Sequence, residues 1–133
     1  GLTASETFFW DLNDATRAWT KRLVARNAGK PPSMIHAGTY GATLHYLKAV
    51  AAAGTTDATK VVAKMKELPI DDFYTKGTVR EDGRVMRPYY LLQVKKPSES
   101  KYQFDYLKLL ATVPAEQAAR PLSESACPMV KQR

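Results

Sequence analysis

The chain has 133 residues, 44% hydrophobic and 25% charged, the size and composition of one ordinary globular domain, which excludes wholesale disorder. Lys and Arg number 20 against 13 Asp and Glu, a formal charge of +7. That charge is scattered, densest at Lys21-Arg22, Lys95-Lys96 and Lys131-Gln132-Arg133, so a solvated basic surface is the plain reading. One cysteine and two histidines exclude an internal disulfide framework, a cysteine zinc site and a histidine-rich metal site. No stretch reaches the roughly 18 uncharged apolar residues of a membrane-crossing helix. The opening residues carry neither an initiating Met nor a signal-peptide pattern, so a processed chain or a fragment is expected.

Residues 1–12 read as an extended entry ending in the aromatic run Phe8-Phe9-Trp10. Asn13 or Asp14 is a good N-cap, and the apolar spacing of Ala15, Ala18, Trp19 and Leu23 predicts a helix over 13–28, stopped by Asn27-Ala28-Gly29 and Pro31-Pro32. Met34 to Thr39 reads as a connector. Tyr40, Leu44, Leu47 and Ala51 then predict a helix over 39–53, ended by Gly54. Thr55, Thr56 or Asp57 caps a third helix over 57–68, with Val61, Val62, Met65 and Leu68 as its apolar stripe and Pro69 as its stop.

At Pro69 the periodicity changes from helical to alternating. Residues 73–80 and 85–95 read as an antiparallel hairpin across Asp82-Gly83. Both faces of the second run are apolar, which predicts cover on both sides, while Pro88 argues for an edge or a bulge. Tyr102, Phe104 and Tyr106 alternate, so 102–113 reads as a further strand, followed by one helical turn and a polar tail from Ser123. Three helices before a small meander leave the helical stripes without a sheet to cover them, so a missing sheet is expected.

Chemistry-bearing motifs are sparse. There is no G-x-S-x-G, P-loop, G-x-G-x-x-G or H-E-x-x-H. Asp71 and Asp72 are adjacent in an extended stretch and point to opposite faces. His36 and His45 read as surface or packing residues, and Cys127 has no activating base in view. The tyrosines among Lys95 to Tyr106 fit sheet packing better than a nucleic-acid platform. Phe8-Phe9-Trp10 is either core packing or the aromatic wall of a binding cleft.

Taken in order, Phe8-Phe9-Trp10-Asp11-Leu12-Asn13-Asp14-Ala15-Thr16-Arg17, Ala37-Gly38-Thr39-Tyr40-Gly41-Ala42, Ala53-Gly54-Thr55-Thr56-Asp57-Ala58, Val61-Val62-Ala63-Lys64-Met65-Lys66-Glu67-Leu68-Pro69, Arg80-Glu81-Asp82-Gly83-Arg84, Gln93-Val94-Lys95-Lys96-Pro97 and Pro121-Leu122-Ser123-Glu124-Ser125 form a pattern. It resembles the C-terminal part of periplasmic substrate-binding proteins of the branched-chain amino-acid ABC transporter family. The resemblance implies an α/β fold, the C-terminal portion of a two-lobed type I periplasmic binding protein. Residues 1–70 would be helices of the first lobe with a hinge crossing. Residues 71–133 would be hinge-crossing strands, part of the second lobe and a tail.

The implied function is a periplasmic solute receptor, not an enzyme and without cofactor. It would close on a branched-chain or other amino acid, or an aromatic acid, and deliver it to an ABC permease. The residues that usually hold the ligand's carboxylate and amino groups in this family lie mostly upstream. In this chain the resemblance points to Gly38, Thr39 and Tyr40 at a helix start, where free amides suit a carboxylate, and to Phe9 and Trp10 near the hinge. A regulatory or enzymatic domain on the same fold, or a basic helical domain binding an anionic polymer, are the other readings. The apolar stripes Ala15, Trp19, Leu23 and Tyr40, Leu44, Leu47 predict that these 133 residues self-associate or stay bound to an upstream part. In a periplasmic protein Cys127 would pair with an upstream cysteine or stay a free, non-catalytic thiol.

Overall fold

The computed structural model describes residues 1–128 and 130; Met129 and the basic spot at 131–133 lie outside the described residues. The order of elements is β1 (Thr3–Glu6), α1 (Asp14–Leu23), α2 (Met34–Ala53), α3 (Ala58–Glu67), β2 (Ile70–Asp71), β3 (Lys76–Val79), β4 (Val85–Met86), β5 (Tyr89–Val94), β6 (Leu107–Val113) and the single turn α4 (Ala115–Ala118). Two three-stranded antiparallel sheets form, in the orders β1-β5-β6 and β2-β3-β4.

Local chemistry sets the helix ends. Asn13 Oδ1 accepts from the Thr16 amide and Thr16 Oγ1 from the Asn13 amide, both at 3.0 Å, a reciprocal cap that satisfies two otherwise free donors. A 3-10 turn continues α1 to Arg26, and the chain then reverses through positive φ at Ala28 and Gly29. Asp57 is the residue that caps α3, accepting from the Lys60 amide at 3.0 Å.

Helix α2 starts at Met34, not at 39, because Ser33 and His36 close its first turn: His36 Nδ1 accepts from the Ser33 amide at 3.2 Å and lies 2.9 Å from Ser33 Oγ. The predicted connector is therefore helix. One face of α2, with Ala37, Gly41, His45 and Ala49 buried at four-residue spacing, packs inward. His45 Nε2 donates to the Met65 carbonyl at 2.8 Å and ties α2 to α3.

The helices meet an aromatic core of Phe8, Trp19, Tyr74 and Ala37, with Phe73 stacked on Trp19 at 4.0 Å and 14°. Burying each large side chain contributes about 1.5–3 kcal/mol. The inward residues of α1 are Thr16, Trp19 and Thr20; Ala15, expected on that stripe, is exposed. The Tyr40, Leu44, Leu47 side of α2 is largely open, with Leu47 56% exposed.

The predicted hairpin forms only over β3 and β4. The expected partner run, 85–95, breaks at Arg87 and Pro88, where proline offers no ladder donor. Its remainder, β5, leaves for the other sheet and pairs with β1 on one edge and β6 on the other. A register shift falls between Leu91 and Leu92. Phe9, Tyr90 and Leu92 form the core of this sheet, but Leu91 is 37% exposed, so β5 is covered on one face rather than two.

The expected strand over 102–113 begins only at Leu107. Phe104 takes φ 68°, and buried Asp105 is held by Lys95 Nζ at 2.5 Å and by the Lys101 amide at 3.0 Å. These contacts fold 102–106 into a loop that strand geometry cannot accommodate. The chain thus runs twice between a helical unit and the β1-β5-β6 unit, once over 7–13 and once at Arg87 and Pro88.

Candidate functional site

The five residues nominated from the sequence do not converge on one place. Phe9 and Trp10 line a hollow of about 420 Å³ together with Phe104, Tyr106, Lys30 and Ser33. Gly38 lines a second hollow of about 520 Å³. Thr39 and Tyr40 lie on a groove of about 590 Å³ along the open side of α2, with Leu23, Leu44 and Leu47.

The first hollow lies where the two units meet. The crossing segment supplies Phe9 and Trp10, the loop before β6 supplies Phe104 and Tyr106, and the turn leading into α2 supplies Lys30 and Ser33. Successive residues of the crossing face opposite ways: Phe8 is buried in the helical core and Phe9 in the sheet core. Trp10 is half-buried and meets Phe9 and Tyr102 edge to face, at 6.4 and 6.5 Å between ring centroids. Phe104 and Tyr106 meet the same way at 6.0 Å. Such edge contacts hold the ring planes at set angles, and aromatic walls give contact area with few rotors to freeze.

A polar relay braces this wall. The Tyr102 hydroxyl donates to Asp11, Arg17 Nη1 donates to the other Asp11 oxygen at 2.9 Å, and Arg17 Nη2 reaches Asp14 at 2.7 Å. The Asp11 carboxylate pushes the Tyr102 hydroxyl up to about 12, so it remains a donor at neutral pH. The Arg17 guanidinium holds the Asp14 carboxyl below its ordinary value.

Gly38 is not at a helix start and offers no free helix-end amide. With α2 beginning at Met34, Gly38 to Tyr40 stand inside the helix, and the Thr39 carbonyl accepts from Thr43 Oγ1 at 2.9 Å. The free amides of α2 belong to the turn after Ser33, whose own residue borders the aromatic hollow. Tyr40 packs edge to face on Trp19 and Phe73, each at 5.5 Å.

Sequence reading missed Lys30, Ser33, Phe104 and Tyr106. Pro31 and Pro32 had been legible only as a helix stop, and the alternation of Tyr102, Phe104 and Tyr106 imitates a strand. The aromatic hollow offers flat apolar walls and a cation, a chemistry of binding.

A family model for periplasmic binding proteins matches residues 1–101. Two solved structures are each 45% identical to the chain. A periplasmic binding protein from Burkholderia mallei has a TM-score of 0.94, the match covering 98% of this chain and 35% of that one. A branched-chain amino acid ABC transporter periplasmic ligand-binding protein from Burkholderia xenovorans has a TM-score of 0.90, covering 97% and 34%. An amino acid ABC transporter substrate-binding protein from Pseudomonas fluorescens, 22% identical, shares the fold with a TM-score of 0.80, covering 96% and 34%. No protein of curated function matches the sequence. The chain spans about a third of the length of these solved structures.

Proposed function

Because the chain belongs to the periplasmic binding protein family, with the fold of part of a type I member, we propose that it is part of an extracytoplasmic receptor that captures a small ligand and delivers it to an ABC permease of the inner membrane. The family consists of solute-binding proteins of transporters, and a non-catalytic role is proposed here with it.

The aromatic hollow carries the reading. It draws its walls from both units and from the segment joining them, so relative motion of the units would open or close it. Phe9 and Trp10 are proposed as ligand-contacting residues. Gly38, Thr39 and Tyr40, which lie away from the aromatic hollow, are proposed as ligand-contacting residues of the complete receptor on the strength of the resemblance alone. The proposed lobe division keeps 1–70 as first-lobe helices with a crossing and 71–133 as crossing strands, second lobe and tail.

A branched-chain or other amino acid, or an aromatic acid, is the proposed ligand. The amino-acid options follow the names of the neighbours, and the aromatic option follows the ring walls. Equilibrium dialysis of the full-length protein against leucine, phenylalanine and benzoate tests it. Saturable binding of at least one is expected, weakened about tenfold by Trp10→Ala, since a lost aromatic contact is worth roughly 0.5–1.5 kcal/mol beyond its area. No binding by the folded protein, or equal affinity in the variant, would overturn the reading.

A further inference from the structure

The second hollow has a different chemistry. It is bounded by α2, α3, the β3–β4 hairpin and the crossing at Arg87. Its volume, about 520 Å³, lies within the range of small-molecule sites. Two arginines line it, Arg84 and Arg87, and none of its lining residues is Asp or Glu.

Arg87 is half-buried, and among the described residues no acceptor hydrogen-bonds its donors. Its guanidinium lies 4.8 Å from the ring centroid of Tyr74, a residue only 7% exposed, so the ring fixes it in place. Burial lowers its proton affinity below the ordinary arginine value, the sign of a charge that has lost water. Arg84 Nη2 makes only long contacts, 3.4 Å to the Tyr89 hydroxyl and 3.5 Å to the Ala118 carbonyl.

Asp72, the acid that acts on Arg87 through space, makes no hydrogen bond to it among the described residues. Its Oδ1 accepts from the amides of Tyr74 and Thr75 at 3.1 and 2.9 Å. Its buried Oδ2 has no hydrogen-bond partner and packs beneath Gly41, where a Cβ would come within 3.0 Å of it. Among the described residues no Arg87 nitrogen is both fully buried and unpartnered, so its donors keep solvent access and are open to an incoming ligand.

We propose that this hollow binds a small organic carboxylate, with the Arg87 fork as its anchor and Arg84 beside it. The planar fork matches a carboxylate with two parallel hydrogen bonds. Met65, Ile70, Val79 and Val85 supply an apolar surface for the carbon chain behind it. This site is separate from the aromatic hollow and does not depend on that hollow's assignment.

The test uses the full-length protein with ¹⁵N-labelled arginine, titrated with acetate, isobutyrate and inorganic phosphate while the side-chain Nε–H signal of Arg87 is followed. The expected result is a saturable shift with both carboxylates, isobutyrate binding more tightly than acetate and phosphate more weakly than either. Isobutyrate affinity, read from the Arg84 signal or by calorimetry, should fall about tenfold or more in Arg87→Gln, as expected for hydrogen bonds to a charged group. Should that variant not fold by circular dichroism, Arg87→Lys, which keeps the charge and loses the fork, is read in its place with the same loss expected. No saturable shift, phosphate binding more tightly than the carboxylates, or an unchanged affinity in the folded variant would overturn the site.

Discussion

Tyr102 donates a hydrogen bond to Asp11 across 91 positions of sequence, joining the loop before β6 to the segment that enters α1. Asp11 is fixed in turn by Arg17, so a sheet-unit tyrosine is tied to the first turns of the helical unit.

Tyr102→Phe should loosen that tie and leave both cores intact. The bond raises the tyrosine's ionisation to about 12, which favours the neutral phenol in the folded state. Its contribution is therefore fully present below the ordinary tyrosine value near pH 10, and is lost as pH rises toward 12. Burial also pushes Tyr90 up, so absorbance titration at 295 nm should show a late-ionising component that shrinks by one tyrosine in the variant. Identical curves would mean the bond is absent in solution.

Asp82 makes the opposite prediction for acid. Both its oxygens are gripped by Arg80, Nε at 3.0 Å and Nη2 at 2.7 Å, which holds its carboxyl at about 2. A depressed value contributes stability above the unfolded value near 4, and that contribution is lost as pH falls through about 2. Asp82→Asn should lower the melting temperature at pH 6 and much less at pH 2, where the carboxyl is already about half protonated. An equal effect at both would show that the pair does not act through charge.

Gly77 is required by close approach. A Cβ there would sit 2.2 Å from the Met86 carbonyl oxygen, a backbone atom that moves only if β3 and β4 separate. Gly77→Ala should destabilise the full-length protein by about 1–3 kcal/mol in urea denaturation, the range for forced overpacking. A change under about 0.5 kcal/mol, the scale of an ordinary surface substitution, would show that the pairing is looser than described.

The open side of α2 leads to a prediction about assembly. Ile35 is 70% and Leu47 56% exposed, beside Tyr40 and Leu44. The solved structures are about three times longer, and we propose that a sheet covers this side in the complete receptor. Taken alone, the 133 residues should sediment as a species heavier than their 14.8 kDa. A single monomer with a cooperative melt would contradict the missing sheet.

Helices were legible in the sequence because caps and periodicity act locally: Asn13, Asp57 and Gly54 stand where their chemistry places them. The start of α2 was not, since Ser33 and His36 form a cap that neither residue announces. Strand partners were only half legible. Asp82-Gly83 marks its turn, but nothing local tells β5 to leave β4 and join β1, more than 80 residues earlier in the chain. The candidate site suffered most. Phe9 and Trp10 stood out as an aromatic run, whereas Lys30 and Phe104 join them only through tertiary folding and a positive φ.

Capture of a ligand between the two units requires them to close on it. Pulsed electron–electron resonance measures this directly, with spin labels at Thr56 on the helical unit and Gln103 on the sheet unit of the full-length protein, in a Cys127→Ser background. A saturating ligand identified by dialysis should move the distance distribution to a shorter, narrower one. An unchanged distribution at saturation would contradict it.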